Sequence, residues 1–196
     1  MKLKHINKAA ADEIINILTP QLMTNPHFMF YCPDKEKRSR FIDSFLRYYL
    51  FKWSAGEELY ASPSKHALIS VVNKNSLQYK FTGKNALKLK LNGHSRSILT
   101  HKKAIGTITD ILIPSSIPAK IMLLHCSPVN NAEEITQLIN EVKEREAKDG
   151  YALVFETFSK TVATFMETLG FEISYQRQFL DTRFIQTVMT YNVEKH

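Results

Sequence analysis

Cysteine is nearly absent from this 196-residue chain, with Cys32 and Cys126 its only two. Two thiols so far apart in sequence suggest neither a disulfide scaffold nor a metal cluster, so each reads as a small buried hydrophobe. Long apolar runs are missing too. None approaches the ~20 residues that cross a bilayer, and Met1-Lys2-Leu3-Lys4-His5 lacks the apolar centre of a signal peptide. The expectation is a cytoplasmic protein with no membrane partner. No Ser-His-Asp, Cys-His or metal-ligand spacing is visible either, so no metal is expected.

Acidic residues are missing from one long stretch. No Asp or Glu stands between Glu58 and Asp110, where Lys65, Lys74, Lys80, Lys84, Lys88, Lys90, Arg96, Lys102 and Lys103 occur. With a formal net charge of +7, such a stretch suits a phosphorylated ligand or nucleic acid. Only Tyr79 and Phe81 are interleaved for base stacking, and no nucleic-acid motif accompanies them. A solvated, Lys-rich surface is the preferred reading, and nucleic acid is not an expected partner.

What is present is a hydrophobic content of 44%, enough for one domain with a sizeable core over residues 1–196. Apolar spacing predicts a helix over Ala9–Leu22, trimmed or kinked by Pro20, and a longer one over Asp34–Trp53 with Asp34 as cap. Leu59–Ala61 and Ala67–Val72 read as strands joined by a turn at Ser62-Pro63-Ser64. Asn85–Leu91 suits a helix, and Ser95–Ile108 is of open type. Lys120–Cys126 and Tyr151–Phe155 are unbroken apolar runs, the pattern of strands covered on both faces. A helix over Ala132–Lys148 lies between them, with Asn130 or Asn131 as its cap. After Tyr151–Phe155, Ser159 caps a helix whose stripe is Val162, Phe165, Met166 and Leu169. Gly170 stops it in a left-handed conformation. Phe171–Phe179 and Phe184–Asn192 follow as strands.

The succession strand, helix, Gly170-Phe171, strand resembles the C-terminal half of the GNAT acyltransferases. Asn25-Pro26-His27-Phe28, Tyr31-Cys32-Pro33-Asp34 and Arg38 resemble the N-terminal signature of one GNAT subgroup, in which two turns separate the first two helices. The resemblance implies an α/β (α+β) fold: a mixed, mostly antiparallel twisted sheet flanked by helices, two from each half of the chain. It also implies an acyl-CoA cofactor such as acetyl-CoA and a small-molecule or peptide amine as substrate, and it is compatible with a homodimer. The cleft would open where parallel strands ending at Cys126 and Thr157 splay apart.

By position in the family pattern, the cofactor residues are Leu124 and Cys126 on the strand, Asn131, Ala132, Glu133, Glu134, Ile135 and Thr136 on the following loop and helix start, and Ser159. That loop reads Gln/Arg-x-x-Gly-x-Gly/Ala in the family, and here Glu134 replaces the first glycine. Its side chain blocks the backbone from phosphate, while Glu133 and Glu134 suit the helix dipole without any ligand. Met166 stands where many relatives carry a proton-donating Tyr. The residues therefore argue that the cofactor grip and the acid are lost or rebuilt. Glu156, at a strand end, is a base candidate or a carboxylate satisfied by backbone; His125 is a base candidate or a core histidine. Two functions stay open: an N-acyltransferase with an atypical loop, and an inactive GNAT-fold module binding another anionic ligand or a protein partner.

Overall fold

The computed structural model describes residues 2–3, 6–56, 58–73, 95–114, 116–126, 131–179 and 183–192. In chain order the strands are β1 (Lys2–Leu3), β2 (Glu58–Ala61), β3 (Ala67–Asn73), β4 (Ala119–Cys126), β5 (Ala152–Thr157), β6 (Glu172–Gln178) and β7 (Ile185–Tyr191). The helices are α1 (Lys8–Leu22), α2 (Pro26–Tyr31), α3 (Lys35–Gly56), α4 (Ser95–Leu112), α5 (Ala132–Lys148) and α6 (Lys160–Thr168). One mixed sheet runs β1-β2-β3-β4-β5-β7-β6, antiparallel at every step but β4–β5. The parallel step follows from the chain: a 17-residue helix, α5, joins β4 to β5, and such a crossover returns the strand in the same direction.

Strand alternation sends side chains to two helical layers. Leu68, Val72, Ile121 and Val154 face a layer of α1, α2, α3 and α4; Ile69, Val71, Met122, Leu153 and Phe155 face α5 and α6. On α5, Ile135, Leu138, Ile139 and Val142 supply the buried stripe. Its last turn buries Glu146, whose carboxylate meets Lys120 Nζ at 2.6 Å. The ammonium also lies 4.1 Å from the centre of the Tyr151 ring.

Gly170 has φ +83°. Phe171 N–H donates to Met166 O and Gly170 N–H to Glu167 O, the paired bonds that close a helix through a left-handed residue. Phe171, 2% exposed, is buried beside them.

Three expectations need correction. Asn25-Pro26 is not merely a turn. Asn25 accepts from His27 N–H and Pro26 occupies the first helical position, so α2 forms. Second, α4 fills the stretch of open type, and α2 adds a third helix to the two expected in the N-terminal half. Third, Asn131 occupies the N-cap position of α5 without a side-chain capping bond, because backbone at φ −156°, ψ 50° does not aim the amide at the first turn. The expected helix over Asn85–Leu91, most of the basic stretch and Asn130 lie outside the described residues.

Candidate active site

Pairing between β4 and β5 ends at Met122–Phe155. Beyond it β4 stays with β3 as far as Cys126, while β5 stays with β7 as far as Thr157. The parallel neighbours therefore part at their C-terminal ends, the place where open α/β sheets take ligands. Alternation puts His125 and Glu156 on the α2 side of this gap, and Leu124 and Cys126 on the α5–α6 side.

Helix α2 is held over the gap by Arg38, which is 7% exposed. Its Nε donates to Cys32 O at 2.8 Å, Nη1 to Met23 O at 2.8 Å and Nη2 to Pro33 O at 2.7 Å. Both ends of α2 are thereby fixed to the start of α3, where Asp34 caps Glu36 and Lys37. One turn of α2 brings His27 and Tyr31 to the same side.

There His27 Nε2 lies 3.8 Å from Glu156 Oε2, with side chains 23% and 2% exposed. The His27 ring packs on Phe158 at 4.5 Å between centres. Tyr31 is buried; desolvation, then the charge of Glu156, raises its phenol well above the ordinary range. On the opposite side Gln186 Nε2 donates to Glu156 Oε1. The space left among His27, Leu124, Cys126, Glu156, Thr157 and Ser159 is about 20 Å³, room for one water.

His125 packs between Phe28 and Phe45, with ring centres at 6.3 and 6.0 Å. Burial, then the nearby charge of His27, pushes its imidazole down to about 3. It is neutral at physiological pH and a weak base there. The Cys126 thiol, pushed up to about 12 by burial, is not a nucleophile.

At the start of α5, Ala132 and Glu133 are exposed, Ile135 is buried, and Asn131, Glu134 and Thr136 are half-buried. Ser64, in the β2–β3 turn, donates its hydroxyl hydrogen to the Glu134 carboxylate. This bond fixes the side chain that replaces glycine. Ser159 caps α6, accepting from Val162 N–H at 3.4 Å while its own N–H donates to Thr157 Oγ1 at 3.0 Å. Met166 is fully buried in the core.

Sequence reasoning missed His27, Tyr31, Gln186 and Ser64 as parts of the site. The Asn25-Pro26 helix start was the available signal for the first two. Among the described residues no group of three or more His, Cys, Asp or Glu could hold a metal ion, and no helix is long and apolar enough to cross a membrane.

No family model matches the sequence, and no curated protein does. Solved structures do. The polyamine N-acetyltransferase of Drosophila melanogaster, which forms N-acetylagmatine, superposes with a TM-score of 0.63 at 13% identity, over 98% of this chain and 99% of its own. An apo mutant of an agmatine N-acetyltransferase gives 0.61 at 13% identity, over 96% and 97%. The C-terminal condensation domain of Ebony, in complex with beta-alanyl-dopamine, gives 0.58 at 12% identity, over 98% and 97%. Identities this low speak to architecture alone. With its seven-stranded mixed sheet parting between β4 and β5, the chain has a GNAT-like fold.

Proposed function

We propose that this protein transfers an acyl group from an acyl-CoA, acetyl-CoA being the simplest, to a small-molecule amine at the parting of β4 and β5. The observation that carries this reading is Glu156, a buried carboxylate at the open end of that gap with His27 beside it. An amine substrate enters as an ammonium ion and must lose a proton before its lone pair can attack a thioester. A carboxylate in that position attracts the ammonium, takes the proton and leaves the nitrogen free. His125, neutral and enclosed by rings, is not needed for the step. The departing thiolate is protonated from solvent, because Met166 has no proton to give. Amine specificity is supported by the fold neighbours that act on agmatine and polyamines.

A specific pair of observations favours a second reading, a non-catalytic module for another anionic ligand or a protein partner. Glu134 is tied to Ser64 where the pyrophosphate would approach, and the space in the gap is water-sized. A thermal-shift titration with CoA and acetyl-CoA, followed by turnover with agmatine and spermidine, separates the two. Binding at 100 times Kd adds about 2.7 kcal/mol, or about 5–10 °C for a chain of this length. Acyl transfer requires that shift and turnover abolished by Glu156→Gln. Absence of any shift with either compound leaves the second reading.

A further inference from the structure

The polar groups behind Glu156 form a directed chain across three strands. Arg177 on β6 and Gln186 on β7 are direct cross-strand partners, and Gln186 lies diagonally from Glu156 on β5. Arg177 Nε donates to Gln186 Oε1 at 2.7 Å, and Gln186 Nε2 donates to Glu156 Oε1. The order cannot be reversed without loss. A guanidinium is a donor only, so it must face the amide oxygen, which turns the amide NH₂ toward the carboxylate. Arg177 is itself held between rings, 5.8 Å from the centre of Tyr175 and 5.9 Å from that of Phe179. Gln186 is fully buried, so a turned amide would face the guanidinium with a second donor and the carboxylate with an oxygen. Both contacts would be repulsive, the one at Glu156 buried and the one at Arg177 half-buried.

We propose that Arg177 and Gln186 are positioning residues that fix which oxygen of Glu156 does the work. Oε1 accepts from the amide, and Oε2 faces His27 at 3.8 Å. The arrangement rests on the acyl-transfer reading for its purpose, though not for its physics. Donation to Oε1 favours the ionised form of the carboxylate over the neutral acid. Among the described residues, His27 and Tyr31 on α2 face it, with His125 on β4 interacting with His27 in turn. None of the three stands on β6 or β7, the strands that the variants alter.

The test is infrared titration of the Glu156 carboxylate, isolated by subtracting the spectrum of Glu156→Gln. Gln186→Leu and Arg177→Met should move the midpoint of the ionised band to higher pH by about one unit, because a donor to the charged form is lost. Arg177→Lys, which can still donate to Gln186 Oε1, should restore most of the wild-type midpoint. If transfer occurs, the acidic limb of its kcat/KM–pH profile moves with the band. Midpoints unchanged in Gln186→Leu and Arg177→Met, with only melting temperatures lowered, would overturn the assignment. A moving band in a protein with no detectable transfer would keep the assignment and remove the acyltransferase reading.

Discussion

The sharpest question concerns the two carboxylates at the start of α5, and the variant Glu134→Gly with Glu133→Lys addresses it. Removing one negative charge and inverting another changes the site by three charge units. Against a pyrophosphate carrying about two charges at ~7 Å, each pair contributes about 0.6 kcal/mol in water, or about 3.5 kcal/mol unscreened. A Debye length of about 8 Å at 0.15 M salt cuts this to about 1.5 kcal/mol, close to tenfold in affinity. Glycine adds backbone access. The variant also loses the Ser64–Glu134 bond and two acids matched to the helix dipole, and it gains a glycine in a helical turn. Together these cost about 2–4 kcal/mol of stability, a fall of roughly 5–15 °C. Calorimetry with acetyl-CoA at 20 and 150 mM salt should show affinity rising while the melting temperature falls, with the gain larger at low salt. Nanomolar binding by the wild type at 150 mM salt would refute the idea that Glu134 opposes phosphate. A destabilised variant with no added affinity would show that access to the gap, not charge, is limiting.

Three further outcomes are expected. His125 has a folded-state pKa near 3, below its ordinary value, so between about 6.5 and 3 the unfolded chain binds the extra proton. Stability should therefore fall as pH drops through that window, by about 1.4 kcal/mol per unit from this group; urea melts of His125→Leu should lose that part of the slope, and an identical slope would exclude His125 as its source. Gly170→Val should cost on the order of 1–2 kcal/mol by differential scanning calorimetry. A Cβ there would meet nothing closer than 3.8 Å, so the cost is backbone strain, and an unchanged Tm would show that the turn relaxes freely. Arg38→Met should leave three carbonyls without their donors and lower stability by about 2–4 kcal/mol in denaturant melts; hydrogen exchange should show α2 opening first, and protection of α2 equal to wild type would contradict the clamp.

Much of the frame could be read from the chain before any coordinates. The buried run at β5, the stripe of α5 and the stop at Gly170 are local patterns, each complete within one element. Helix α2 escaped because six residues are too few to show a period, and only its cap and proline mark it. Helix α4 escaped because Ile98, Ile105 and Ile108 share their stretch with cations and no acid that would mark its first turn. The places of Glu156 at the end of β5 and Glu134 at the start of α5 were legible because each is a single residue in a recognisable order of elements. What surrounds them was not. Ser64 reaches Glu134 across 70 positions, and Gln186 reaches Glu156 across 30. Such pairs are set by sheet register and the packing of a turn on a helix, and no nearby spacing in the sequence encodes them.

The ladder between β3 and β4 has a kinetic consequence. Its seven pairs, Ala67 with Cys126 through Asn73 with Lys120, join segments separated by a long stretch of chain, whereas β4, α5, β5, α6, β6 and β7 follow one another closely. Contacts of high sequence separation demand more loop-closure entropy and tend to form late. The half of the molecule carrying Glu156, Gln186 and Arg177 is thus expected to order first, with the N-terminal helices docking afterwards. Conservative truncations along β3 should then speed unfolding and leave the folding rate nearly unchanged, while truncations in α5 should slow folding. Stopped-flow chevrons would distinguish the two. The cleft would form with Glu156 already in place and acquire its cover, α2, only as folding ends.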